Sequence, residues 1–461
     1  MLHHSLVRPP RLCEVLPSLA LLLLAGAAAP AFAEDTPEAT PEGAATIAAV
    51  DTAPAVWPQW RGPERSGAVE SDAPAWPSDL KGLELIWRSE DLGPSYSGPI
   101  VGPKRVYTTE TRDEKFEVVT AFDRATGDKA WSKQWPGAMK VPFFAARNGS
   151  WIRATPAFDG DTLYVGGILA VVVALDAATG AEKWRLDFPN TFETEKPPFG
   201  FVCSPLVDGD FLYVEAAGHL FKLKKDSGDI VWQTDDLSGG DMTSEGTFSS
   251  PVIADIAGKR QILVQSRHEL RGVDPADGTI LWSHHVPSFR GMNILTPAPW
   301  GDTVFTSTYR NASYLFEVNA GDAGFTAAQK WTNEAQAYMS SPLIIGDVAY
   351  SHLGNGRLTA IRLTDGERLW TTKPMGSYWS MAHRGDRILA LNEEGELLLI
   401  DASPDAFNLL DRREVAKSET WAHIAVAGDL VFIRDLDALS VWRWGASQSS
   451  PAEAPAATTG R

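Results

Sequence analysis

The sequence predicts an all-β chain folded as an eight-bladed β-propeller of four-stranded antiparallel blades, and three observations predict it. One strand signal recurs eight times, a second and different strand signal also recurs eight times, and the outermost strand of the repeat is divided between the two ends of the chain. Four short strands per unit at a spacing of about 40–58 residues is the pattern of a propeller.

The unit is clearest in Ser204-Pro205-Leu206-Val207-Asp208-Gly209-Asp210-Phe211-Leu212-Tyr213-Val214, followed by Leu220-Phe221-Lys222-Leu223 and Asp226-Ser227-Gly228-Asp229-Ile230-Val231-Trp232. The Asp-Gly-Asp and Asp-x-Gly clusters between apolar runs supply the positive-φ positions of tight hairpins. The second-strand signal stands at Val106-Tyr107, Leu163-Tyr164, Leu212-Tyr213, Ile262-Leu263, Val304-Phe305, Val348-Ala349-Tyr350, Ile388-Leu389 and Val431-Phe432. The third-strand signal stands at Thr120-Ala121-Phe122-Asp123, Val173-Ala174-Leu175-Asp176, Phe221-Lys222-Leu223, Arg271-Gly272-Val273-Asp274, Leu315-Phe316-Glu317-Val318, Thr359-Ala360-Ile361, Leu398-Leu399-Ile400-Asp401 and Ser440-Val441-Trp442. The fourth strand carries Trp131, Trp184, Trp232, Trp282, Trp331 or Trp370, with a copy near Leu409-Leu410 that lacks the tryptophan. Its eighth copy, Leu85-Ile86-Trp87, precedes the first full repeat, while the last repeat stops after its third strand. The two ends therefore complement each other within one blade and close a ring, which a solenoid has no need to do.

The chain of 461 residues is 44% hydrophobic and 22% charged, a globular composition, and its 17 Trp, 39 Gly and 31 Pro call for many turns and many bulky anchors. A net charge of −18 argues against nucleic-acid binding, which needs a basic face. The N-terminus places Arg8 and Arg11 before an apolar run over residues 16–29 and then Ala31-Phe32-Ala33, a small-x-small cleavage pattern. Residues 1–33 are expected to be a signal peptide, with Glu34 the first mature residue, and no later run approaches the about 20 apolar residues of a membrane span. A retained anchor is the alternative; export to the periplasm or the cell surface, without integral membrane insertion, is the expectation. Residues 34–56 and 445–461, rich in Ala, Pro and Thr, read as a disordered linker and tail around a propeller at 57–444. Cys13 would leave with the leader, so Cys203 stands alone and can form neither an intramolecular disulfide nor a thiolate cluster.

The repeat Ala174-Leu175-Asp176-Ala177-Ala178-Thr179-Gly180-Ala181-Glu182-Lys183-Trp184, echoed by Asp123 to Trp131 and by Asp274 to Trp282, resembles the pyrroloquinoline-quinone (PQQ)-like propeller repeat family over roughly residues 57–444. The resemblance implies that the recurrent tryptophan docks one blade on the next. It also implies one of two branches: quinoprotein dehydrogenases holding PQQ and calcium on the axis, or binding propellers without catalysis, such as the BamB-like and planctomycete-type exported proteins. Many quinoprotein alcohol dehydrogenases carry adjacent cysteines, which this chain does not have. Asp241 and Glu245 are the nearest candidates for calcium ligands, with a solvated acidic loop as the alternative. His219, His268, His284, His285, His352, His383 and His423 show no metal-ligand spacing, and no Gly-x-Ser-x-Gly elbow or phosphate-binding loop is present. No cofactor and no catalytic residue are therefore expected; PQQ and calcium enter only with the oxidoreductase alternative.

A further pattern precedes the innermost strands: Ser97-Gly98-Pro99, Ala154-Thr155-Pro156, Cys203-Ser204-Pro205, Ser249-Ser250-Pro251, Leu295-Thr296-Pro297 and Ser340-Ser341-Pro342, with Ser380-Met381 and Ala422-His423 in the corresponding places. Small hydroxylated residues suit a crowded axis. Bulkier residues come just ahead of them. Tyr96, Arg153, Phe201, Phe248, Tyr338, Trp379 and Trp421, with Trp151 and Tyr378, form a candidate axial mouth for a ligand or partner, aromatic with one fixed cation. Trp57-Pro58-Gln59-Trp60-Arg61-Gly62-Pro63 is expected to strap across the propeller, and longer loops near 139–150 and 190–199 are places for recognition. The functional expectation is an exported scaffold that binds a protein or another envelope component, the alternatives being a quinoprotein-like oxidoreductase or a glycan-binding propeller.

Overall fold

Each repeat becomes one antiparallel sheet, and the computed structural model contains eight of them, each with four strands. It describes residues 54–69, 76–143, 145, 149–237 and 247–444; the expected leader at 1–33, most of the linker, the tail at 445–461 and the loop holding Asp241 and Glu245 lie outside them. Blades 1 to 7 run in chain order, from Ile100–Val101 at the inner edge of blade 1 to Asn408–Glu414 at the outer edge of blade 7. Blade 8 takes Ala425–Ala427, Leu430–Arg434 and Leu439–Trp444 from the C-terminal end and Leu83–Ser89 from the N-terminal end. Leu83 lies opposite Trp444 and Ser89 opposite Leu439, so the ring is closed by backbone pairing.

Second and third strands are buried on both faces, as a middle strand between packed blades must be, whereas fourth strands alternate with solvent. In every blade the third and fourth strands carry one β-bulge, and it falls on the residue immediately before the tryptophan position: Ala130, Lys183, Val231, Leu281, Lys330, Leu369, Leu410 and Ile86. A bulge bends the strand and re-aims the next side chain. The re-aimed indole reaches the following blade. Trp131 Nε1 donates to Ala177 O at 3.1 Å, Trp184 to Lys225 O at 3.0 Å, Trp331 to Leu363 O at 2.7 Å, and Trp87 to Arg124 O at 3.0 Å.

The glycine of the Asp-x-x-Thr-Gly turn completes this joint. Gly180 has φ +74° and lies so close under Trp131 that a Cβ there would sit 2.6 Å from the ring. Only glycine gives both the left-handed backbone and the room. Blade 7 departs from the pattern, because Asp411 occupies the tryptophan position and its Oδ2 accepts from Leu80 N at 2.8 Å, catching the chain as it enters blade 8. Trp282 also departs: it folds back on its own blade, where Nε1 donates to Gln261 Oε1 at 2.7 Å.

Among the described residues one α-helix, Phe188–Phe192, occupies the loop after blade 2, with Asp187 as its N-cap accepting from Asn190 N. No helix among the described residues is long and apolar enough to cross a membrane.

Candidate functional site: a strapped axial funnel

The hydroxyl residues ahead of the inner strands form a collar that stitches neighbouring blades together. Gly98 N donates to Thr155 Oγ1 at 2.9 Å, Thr155 N to Ser204 Oγ at 3.0 Å, and Ser204 N to Ser250 Oγ at 3.0 Å. Trp379 N donates to Ser340 Oγ at 3.0 Å and Ile424 N to Ser380 Oγ at 3.2 Å. A small side chain with one acceptor oxygen is what a converging axis can hold while still satisfying a buried N–H.

The segment 57–69, which carries the Trp57-to-Pro63 motif, closes one end of that axis. Trp57 exchanges backbone hydrogen bonds with Val101 of blade 1, and Phe158 N of blade 2 donates to Pro58 O at 2.7 Å. Arg65 then donates to Ser204 O and Pro205 O of blade 3 at 2.9 and 2.8 Å, and Arg61 to Pro342 O of blade 6. Val69 N donates to His383 O and His383 N to Gly67 O, both at 2.8 Å, which anchors the exit on blade 7. Arg61 and Arg65 are each 2% exposed, and burial holds both guanidinium groups below the ordinary arginine range, to about 9 and about 10. Both remain cationic at neutral pH, and backbone carbonyls, not carboxylates, hold them.

Above the strap lies a cavity of about 540 Å³, within the size of a small-ligand site. Trp60 forms its floor, edge-on to His423 at 6.0 Å between centroids, with Arg61 and Arg65 beneath the indole at 5.6 and 5.7 Å. Burial and the nearby Arg61 push His423 down to about 3, so it is neutral and supplies no charge.

Five of the seven expected site residues line this cavity: Tyr96, Arg153, Phe248, Tyr338 and Trp421. Phe201 and Trp379 do not. Phe201 is 4% exposed in the core between blades 2 and 3, against Gly166, and Trp379 is 1% exposed between blades 6 and 7, stacked on His352 with Nε1 donating to Met375 O. In blade 7 the inner strand already begins at Trp379, so strand alternation turns that side chain into the sheet interface. Trp151 packs edge-on against Tyr96, and Tyr378 stacks on Trp421 at 5.3 Å.

The single expected cation is joined by three others. Arg267, Arg290 and Arg310 line the same cavity, on the hairpin between the second and third strands of blade 4, the loop leaving blade 4, and the hairpin of blade 5. Each sits in an irregular segment with no repeat signal, and only the convergence of blades brings them together.

Two buried carboxylates lie elsewhere. Glu117 in blade 1 is raised to about 7 by burial, against the opposing pull of bonds from Ile168 N and Trp135 Nε1. Glu215 in blade 3 is raised to about 8 by burial, with Arg271 opposing. Neither lines the axial cavity.

The wall of the cavity carries no carboxylate among the described residues, and no group of three His, Cys, Asp or Glu there is placed to hold a metal ion. A quinone held through calcium needs oxygen ligands at its side, and Asp241 and Glu245, expected as the nearest such ligands, lie outside the described residues.

The model of the family described as outer membrane protein assembly factor BamB matches residues 115–372. The chain belongs to that family. It is 22% identical over 295 residues to BamB of Shewanella oneidensis, a match covering 60% of this chain and 72% of that protein. The crystal structure of BamB from Moraxella catarrhalis superimposes with a TM-score of 0.56 at 16% identity, covering 78% of this chain and 97% of that one. A quinohemoprotein alcohol dehydrogenase from Pseudomonas putida superimposes with a TM-score of 0.59 at 13% identity, covering 90% and 84%. Identities this low establish a shared propeller architecture, which BamB-type and dehydrogenase propellers have in common, and the function has to be argued from the site.

Proposed function

We propose that this BamB-family propeller is a binding module of the cell envelope, working without a bound quinone, and that it docks a protein partner at the open mouth of the axial funnel. The observation that carries the reading is the funnel itself. It is floored by a strap with buried cations and walled by aromatic rings and arginines, with no carboxylate in its wall among the described residues. Large rigid rings and arginines are the side chains that dominate binding hot spots. The family match, and the name its relatives carry, point to the outer membrane as the setting and to export as the route.

Photo-crosslinking amino acids placed at Tyr338 on the mouth and at Ile230 on the outer edge of blade 3 test this in cells. Adducts with an envelope protein from position 338 and none from position 230 are expected. Adducts only from the outer edge would overturn the mouth as the docking surface. Titration of the purified chain with PQQ and calcium is expected to leave the quinone spectrum unchanged; a shifted spectrum with dye reduction in the presence of alcohols would replace this reading with the oxidoreductase one.

A further inference from the structure

The closed end of the funnel is lined by polar atoms that the fold leaves half used. Thr155 Oγ1, Ser204 Oγ and Ser250 Oγ each accept a collar N–H, from Gly98, Thr155 and Ser204, and none of the three gives its own proton to another group among the described residues. These residues are only 3%, 3% and 5% exposed, yet all three stand in the cavity wall. A hydroxyl whose lone pair is taken by an N–H presents its hydrogen to whatever fills the space in front of it.

His423 supplies the opposite sense. Its Nδ1 lies 2.8 Å from Ile424 O, and because a carbonyl can only accept, Nδ1 carries the ring proton. In the neutral imidazole Nε2 then keeps a bare lone pair, and no donor among the described residues meets it. Tyr378 and Ser341, each 9% exposed, line the same cavity with hydroxyls that bond to no protein group among the described residues.

An occupant that fits this pattern must donate and accept at once. A carboxylate only accepts and would set its lone pairs against that of His423 Nε2. An ammonium only donates and would stand over the buried charges of Arg61 and Arg65 beneath Trp60. A hydroxyl does both. One side of the funnel is apolar, where Tyr96, Trp421 and Tyr378 form a continuous aromatic wall with centroids 5.7 and 5.3 Å apart. An aromatic face carries partial negative charge and attracts C–H bonds. Tyr378 and Trp421 stack on one another, so no slot between them admits a flat heterocycle. Hydroxyls on the rim and C–H bonds on the face are the two sides of a pyranose ring.

We propose that the closed end of the funnel binds a neutral pyranose sugar, its hydroxyls on Thr155, Ser204, Ser250 and His423 Nε2 and its C–H face on Trp421 and Tyr378. The sugar site uses the collar and the wall below the rim, so it stands apart from a protein docked at the open mouth, and either can fail alone.

Calorimetric titration of the full chain with methyl β-D-glucopyranoside, methyl α-D-mannopyranoside and N-acetyl-D-glucosamine tests it, with saturation-transfer NMR to detect weak binding. At least one of these neutral sugars is expected to bind, at least about tenfold more tightly than the anionic D-glucuronate and the cationic D-glucosamine. Tyr378→Phe, which keeps the ring and removes the hydroxyl, is expected to lose about fivefold in affinity. Trp421→Ala, with its thermal unfolding checked against the parent, is expected to lose at least about tenfold. Arg362→Ala, in an exposed ion-pair cluster on blade 6, is expected to lose none. Tighter binding of the corresponding disaccharide would name the end of a glycan chain as the source and equal affinity a free sugar, and both support the site. No binding of any of the three sugars up to about 10 mM, tighter binding of the charged ones, or unchanged affinity in both Tyr378→Phe and Trp421→Ala would overturn the sugar site, whatever the Tyr338 crosslink captures. A failed crosslink beside a bound sugar would remove the docking reading and leave the sugar site standing.

Discussion

At Gly180 the backbone stands at φ +74° beneath the Trp131 ring, and the two facts can be separated by experiment. Gly180→Ala adds a strained backbone and a clash at 2.6 Å, and should lower the unfolding free energy by about 3 kcal/mol in urea melts. Gly160→Ala has φ +104° but nothing within 4 Å, and should cost about 1 kcal/mol. Equal losses at the two positions would show that the inter-blade joint is not what the glycine serves. Buried carboxylates give a second test at this scale. Glu117 and Glu215 have folded-state pKa values of about 7 and about 8, above the ordinary 4.5, so the folded protein holds their protons more tightly than the unfolded chain does. Their neutral forms leave stability intact below pH 4.5, and stability is lost as the pH climbs through 7 and 8, by on the order of a few kcal/mol for each group. Urea midpoints should fall from pH 5 to pH 8 in the parent and fall much less in Glu117→Gln/Glu215→Gln. Neither residue can be picked out in the sequence, where each looks like any strand glutamate facing solvent; which face is buried is set by the neighbouring blade.

Among the elements, the strap shows how a motif can be read without its destination. Trp57-Pro58-Gln59-Trp60-Arg61 signals packing across the propeller, and Trp57 does pack, at 2% exposure. What no local pattern shows is that Arg61 and Arg65 become buried struts whose acceptors lie on blades 6 and 3. Arg65→Ala leaves Ser204 O and Pro205 O without their donors and should destabilise the chain by about 3 kcal/mol, measured by urea unfolding. Arg65→Lys, a point charge in place of a fork, should recover only part of that loss. The mouth was legible to the extent that strand order was. Tyr96, Arg153, Phe248, Tyr338 and Trp421 follow from their place ahead of the inner strands, while Trp379 departs because its strand begins at Trp379 itself, ahead of the Ser380-Met381 pair. Arg267, Arg290 and Arg310 stand on irregular loops, where periodicity carries no information.

For the whole molecule, the legible part was the ring and its seam, because strand signals repeat and their two counts agree. The eight bulges that aim the tryptophans were not legible, since one extra residue in a short strand looks like a boundary error. The seam itself can be locked. Glu84 and Arg443 are directly opposite and both exposed, so Glu84→Cys/Arg443→Cys can bridge the two ends of the chain. Cys203 will not compete, because it is buried and its thiol is pushed up to about 12. Oxidation closes a loop around nearly the whole propeller and should stabilise by about 4 kcal/mol, seen as a urea midpoint that drops on adding reductant. No difference between oxidised and reduced forms would mean that the seam stays paired in the unfolded ensemble.

The strap also imposes an order on assembly. Its own residues are made early, and Val101 and Phe158 can hold its start soon after, yet the groups that hold its arginines and its exit are made late: Ser204 and Pro205, then Pro342, and His383 only when blade 7 is emerging. Two arginines and two tryptophans near the start of the chain must therefore wait in water until most of the ring exists. The segment that is written first is fully fastened last, so the clasp is also a checkpoint: a ring missing any of blades 3, 6 or 7 leaves one of its anchors unmade.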